Sequence, residues 1–129
     1  MYSRSTRHFL KVALWSIRSV GTIFVFRPES AETSEFAVEC GDVILVATDG
    51  VFDNVPEPVL VAEMRRAQGL AGDSQRLQAV ANSIAWMARN LSFDGCYMSP
   101  FAKSARQNGI DAIGGKPDDI TVLLAIVAL

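Results

Sequence analysis

The chain has 129 residues and a formal net charge of −2; half of the residues are hydrophobic and a fifth are charged. That is the composition of a folding chain of one-domain length, and its charge balance argues against a nucleic-acid partner. The single histidine, His8, falls in a basic leader, and Cys40 and Cys96 lack CxxC spacing. A Ser-His-Asp or Cys-His unit and a thiolate zinc site therefore lack the residues they need, and chemistry falls to carboxylates with hard metals.

Residues 1–28 stand apart as a leader, with Arg4, Arg7, Lys11, Arg18 and Arg27 before the first acid, Glu29. A basic, serine-containing, acid-free stretch fits a mitochondrial targeting segment, and a non-native start fits equally. Ser16, Arg18 and Ser19 separate the apolar clusters Phe9 to Trp15 and Gly21 to Phe26. This argues against a membrane anchor, which needs about 20 continuous apolar residues. The folded domain is then expected over 29–129.

Phe36, Val38 and Cys40 alternate with Ala37 and Glu39, which predicts a short strand entering a turn at Gly41-Asp42. The β-branched run Val43 to Ala47 predicts a buried strand that ends at Thr48-Asp49-Gly50. Pro56 and Pro58 break the chain before a helix over 59–68, with Leu60, Val61 and Met64 as its apolar stripe and Arg65-Arg66 as a solvated end. Asp73 or Ser74 caps a second helix running to about residue 92, and 98–107 predicts a third with Pro100 in its first turn. Trp86, Met87 and Met98 read as packing residues. The loop Gly114 to Asp119 leads into a second buried strand over 120–129. Gly109 to Lys116 falls short of a phosphate-binding P-loop, because Gly115 stands where that motif has lysine.

Each buried strand touches an aspartate: Asp49 at the exit of the first, Asp118 and Asp119 at the entry of the last. If the two strands pair antiparallel, Asp49 and Asp118 meet at one edge of a sheet. Two close carboxylates repel unless something positive lies between them, and no basic residue in either motif is nearer than Lys116. A divalent cation is the economical choice, and oxygen-only ligands favour Mg²⁺ or Mn²⁺. Asp-Gly and Asp-Asp are also ordinary turn formers, and spacing alone leaves that reading open.

The stretch Gly41 to Asp53, with Asp49-Gly50-Val51-Phe52-Asp53 at its end, resembles the motif of PPM-type (type 2C) protein phosphatases in which an apolar strand leads into an Asp-Gly-aromatic-Asp turn. Gly115-Lys116-Pro117-Asp118-Asp119-Ile120-Thr121-Val122 resembles that family's last motif. Together with Tyr97-Met98-Ser99-Pro100-Phe101-Ala102, the spelling is similar to the mitochondrial PTC-seven-like branch. The resemblance covers about residues 29–129. It implies an α+β fold, the C-terminal part of the PPM-type four-layer α-β-β-α sandwich. It also implies hydrolysis of phosphoserine or phosphothreonine in a phosphoprotein substrate, a mitochondrial address, and a two-ion Mn²⁺ or Mg²⁺ centre. The implied metal ligands are Asp49 and Asp118, with Asp119, which stands where the family usually has asparagine, supporting the site without ligating. The family's earlier glycine-rich Asp-Gly motif, which supplies a bridging aspartate, and its phosphate-binding arginine are not found in this sequence. Two expectations follow: a phosphatase whose site is incomplete in this chain, or a PPM-derived interaction module without catalysis.

Overall fold

Val43, Leu45 and Ala47 are fully buried while Ile44 and Val46 between them are only partly so. This two-residue period marks a strand with one face on the core. The structure, a computed structural model, describes residues 37–128 and, in addition, the main-chain course of two strands before them. In chain order the elements are β1 (Leu10–Trp15), β2 (Phe24–Phe26), β3 (Val43–Thr48), α1 (Asp49–Phe52), α2 (Glu57–Ala67), α3 (Ser74–Ser92), α4 (Pro100–Gln107) and β4 (Val122–Ile126). They make an α+β fold around one antiparallel sheet of order β2-β1-β3-β4. Two of its strands, β1 and β2, come from the stretch 1–28, with Leu10 opposite Thr48 and Trp15 opposite Val43.

The buried face of β3 packs against Val51 and Phe52 of α1, Leu60, Met64 and Ala67 of α2, and Val80, Ile84 and Ala88 of α3. Each large apolar side chain taken fully from water contributes about 1.5–3 kcal/mol. The pairs Val46–Leu123 and Ile44–Ala125 lie opposite one another across β3 and β4 and share the sheet's other face. That face is more open, and Leu123 is 56% exposed.

Local chemistry sets the helix ends. Asp73, rather than Ser74, caps α3 by accepting from the Arg76 N–H at 3.1 Å. The Ser99 hydroxyl accepts from the Ala102 N–H at 3.0 Å, and Pro100 occupies the first turn of α4. The third helix therefore starts at Pro100 rather than Met98.

Three expectations are corrected. Ala37 to Glu39 form no strand, and Phe36 lies outside the described residues. The Asp42 carboxylate takes the Glu39 N–H at 2.8 Å and curls the segment into a turn. Trp86 is 61% exposed, because the inward face of α3 is taken by Ala81, Ile84 and Ala88; its ring lies 5.6 Å from the Arg89 guanidinium carbon. Met98 is also exposed, in the loop ahead of Ser99. No helix among the described residues is long and apolar enough to cross a membrane.

Candidate metal centre

The exit of β3 and the entry of β4 are joined by one side chain. The Thr48 hydroxyl donates to the Asp119 carbonyl and accepts from the Thr121 N–H, both at 3.0 Å. The Thr48 N–H reaches the Thr121 carbonyl at 3.1 Å. Asp49 begins α1 immediately after this joint, and Asp118 lies immediately before it. Gly50 explains why an Asp-Gly pair stands here: a β-carbon would fall 2.4 Å from the Asp119 carbonyl oxygen. Only glycine lets the two main chains approach this closely.

Asn54, fully buried, holds the two acidic segments in register. Its amide nitrogen donates to the carbonyls of Gly50 (2.8 Å) and Lys116 (2.9 Å), and its amide oxygen accepts from the Lys116 N–H (2.7 Å). The middle stretch braces this joint from behind. The Phe101 N–H donates to the Asp53 carbonyl, the Ser99 hydroxyl to the Gly114 carbonyl at 2.6 Å, and the Tyr97 hydroxyl to the Asn54 carbonyl. The Gly114 N–H returns to the Tyr97 carbonyl, and the Gly115 N–H to the Asp94 carbonyl. Burial, then the neighbouring Asp94 carboxylate, push the Tyr97 phenol up and keep it a donor.

Electrostatics show which charges share this edge. The Lys116 ammonium lies 3.1 Å from an Asp53 carboxylate oxygen and 5.0 Å from the centre of the Phe101 ring. Burial lowers the Lys116 pKa, but the charge and hydrogen bond of Asp53, then the charges of Asp49 and Asp118, outweigh it and hold the group above its ordinary value. Asp49 and Asp53 are one helical turn apart, joined by the Asp53 N–H to the Asp49 carbonyl at 2.8 Å. Asp49 and Asp118 thus act on the same ammonium group. One Asp118 oxygen accepts from the Asp119 N–H at 2.8 Å. The contacts found for Asp119 are made by its main chain: the carbonyl to Thr48 and the N–H to Asp118.

The donor set suits a hard cation. Magnesium is commonly bound through one or two carboxylates, with water and phosphate completing its shell. Among the described residues no group of three or more His, Cys, Asp or Glu is placed to hold an ion. Asp53, Asn54 and Lys116 were visible in the sequence as neighbours of the acids. Their partnership was not, because it joins positions some sixty residues apart.

The fold is shared with a solved phosphatase. The chain superimposes on the X-ray structure of the photosystem II phosphatase PBCP with a TM-score of 0.74, over 95% of this chain and 57% of that one, at 22% identity. The sequence is similar to proteins named protein phosphatase PTC7 homolog: 45% identical to the Homo sapiens protein over 84% of this chain, and 47% identical to the Danio rerio protein over the same share. Its Drosophila virilis relative, protein phosphatase PTC7 homolog fig, is 48% identical over 76% of this chain. The resemblance to PPM-type phosphatases, and to their PTC-seven-like branch, is borne out by these relatives and by the shared fold. The chain spans about a third of the length of the curated relatives it matches, 35% of the Homo sapiens protein. No family model matches the chain.

Proposed function

We propose that this chain is part of a metal-dependent phosphatase acting on phosphoserine and phosphothreonine in proteins, with Asp49 and Asp118 as ligands in a dinuclear Mn²⁺ or Mg²⁺ centre. The observation that carries this reading is the antiparallel pairing of β3 and β4, which brings the segments bearing the two acids to one joint. An ion bound there supplies an acidified water and a clamp on phosphoryl oxygens. The chain's own residues hold the ligands still: Gly50 lets the strands' ends close, Thr48 ties them, and Asn54 locks the Lys116 segment against α1.

In this reading the site is incomplete within these 129 residues. Two observations support that: no group of three or more acids, histidines or cysteines among the described residues is placed to hold an ion, and the sheet face bearing Val46 and Leu123 is more open where a sandwich would place a second sheet. The same observations favour, as a second reading, a module retained for interaction without catalysis. A mitochondrial address is proposed from the basic leader and the PTC-seven-like resemblance. A fluorescent fusion of the whole chain that stays outside mitochondria would overturn it.

The test is calorimetric titration of the 129-residue chain with Mn²⁺, alongside hydrolysis of p-nitrophenyl phosphate. Binding is expected, and is expected to be lost in Asp49→Ala and Asp118→Ala but kept in Asp42→Asn. Hydrolysis by this chain alone is expected to be absent. Equal Mn²⁺ binding in all four proteins would remove the metal centre. Robust hydrolysis abolished by Asp49→Ala would show the site to be complete after all.

A further inference from the structure

We infer that the outward face of α3 around Arg89 is a docking site for an acidic peptide segment of a partner protein, one in which a carboxylate stands beside an apolar side chain. Trp86, Arg89 and the C-cap residue Phe93 are spaced i, i+3 and i+7, so they share one face of the helix. The Trp86 and Phe93 rings are 61% and 67% exposed. The Arg89 guanidinium carbon lies 5.6 Å from the centre of each ring. Trp86 and Arg89 also line, with Ala85 and Ile120, a pocket of about 210 Å³.

The charge on this face calls for an anion. A guanidinium that rests over rings uses its flat faces, and its N–H groups point outward in the plane, where a carboxylate can take two of them in parallel. Arg66, Arg76 and Arg106 each pair with an acid of their own chain. No acid among the described residues pairs with Arg89, and Asp94, the nearest acid along the chain, turns instead to the Cys96 N–H at 2.9 Å. The exposed rings and Ile120 call for an apolar group next to that anion. Tryptophan and arginine together form the anchors of protein interfaces. A lipid surface fits less well, because anionic bilayers draw clusters of basic residues and Arg89 is the single basic residue of α3 after Arg76. The pocket borders the joint described above: Ile120 follows Asp119, whose carbonyl takes the Thr48 hydroxyl. A phosphoprotein docked here would bring its neighbouring chain to that joint. The docking itself does not rest on the metal-centre reading.

The test is fluorescence anisotropy of a labelled, blocked hexapeptide of alternating glutamate and leucine, titrated with the whole chain in EDTA. Binding is expected, weaker by about tenfold in Arg89→Gln and by about fivefold in Trp86→Ala. Arg65→Gln, which removes an exposed arginine from α2, is expected to leave it unchanged. Peptides with glutamine in place of glutamate, or serine in place of leucine, are each expected to bind about tenfold more weakly. Equal affinity for the glutamine peptide overturns the carboxylate requirement, and equal affinity for the serine peptide overturns the apolar one. The same loss in Arg65→Gln as in Arg89→Gln means non-specific charge attraction and overturns the site. Binding of phosphatidylserine vesicles, in place of the peptide and lost in the same variants, assigns the face to a lipid surface and overturns the proposal. No peptide binding by the wild-type chain overturns it as well. Arg89→Lys, which keeps the charge and loses the planar fork, provides a second variant and is expected to weaken binding by about threefold. With no metal present, failure in any of these arms leaves the phosphatase reading standing.

Discussion

The two ends of β3 carry the same pair of residues in opposite order, Gly41-Asp42 at the start and Asp49-Gly50 at the finish, and they use them for different ends. Asp42 is 1% exposed; one of its oxygens accepts the Glu39 N–H three residues away, and the other is buried without a hydrogen-bond partner among the described residues. Its glycine adopts φ +91° in an open turn. Asp49 instead sits partly exposed beside a long-range joint, and its glycine is present because another main chain lies against it. A carboxylate consumed by its own turn builds local structure. One at the rim of a joint stands where two distant segments of the chain meet.

The sharpest way to break this contrast is at the glycines. Gly50→Ala is expected to cost about 3 kcal/mol, because the contact is with a main-chain oxygen that cannot swing aside. Chemical denaturation measures the loss, and a cost below about 0.5 kcal/mol would mean that the Asp119 main chain does not approach Gly50 as described.

Next in size is Asn54→Ala, expected to cost about 2–3 kcal/mol because it strands the part-buried Lys116 N–H and two carbonyls. It should also weaken Mn²⁺ binding, since the Lys116 to Asp118 segment loses its register. A smaller effect separates the two acids directly. Asp42→Asn is expected to change stability by about 1 kcal/mol or less and leave Mn²⁺ affinity intact. Asp49→Asn should instead abolish Mn²⁺ binding. Similar behaviour of the two variants would erase the distinction between the ends of β3.

The smallest effect expected is in alkali. Tyr97 has its pKa raised above the ordinary 10.0, so the fold favours the neutral phenol. Its contribution is complete below the unfolded value and is lost as pH rises through the higher folded value. Tyr97→Phe should flatten that loss in a pH series of melting curves, and an unchanged slope would remove the phenol from the brace.

The local elements were readable from sequence because their signals are local. The run Val43 to Ala47 carries the β-branched residues of a buried strand, and α3 repeats its apolar residues at helical spacing. Asp73, Ser99 and Pro100 cap or open helices within a few residues of themselves. The acids at 49 and 118 stood out by their position at strand ends. Trp86 was misread because hydrophobicity does not tell a helix's inward face from its outward one at a single position. The strand expected over 36–40 failed because period-2 alternation lost to a side chain, Asp42, that bonds the main chain behind it.

By itself, then, the sequence determined the order of most elements, the acid-bearing strand ends and the phosphatase resemblance, since each is written within a short window. Tertiary structure alone decided that Thr48 and Asn54 would bind the segment after β3 to the segment before β4, that Tyr97 would reach the Asn54 carbonyl, and that Lys116 would pair with Asp53. Those contacts join positions 43 to 73 residues apart. Only the antiparallel closure of β3 on β4 brings such partners within hydrogen-bonding distance, and no spacing along the chain encodes it.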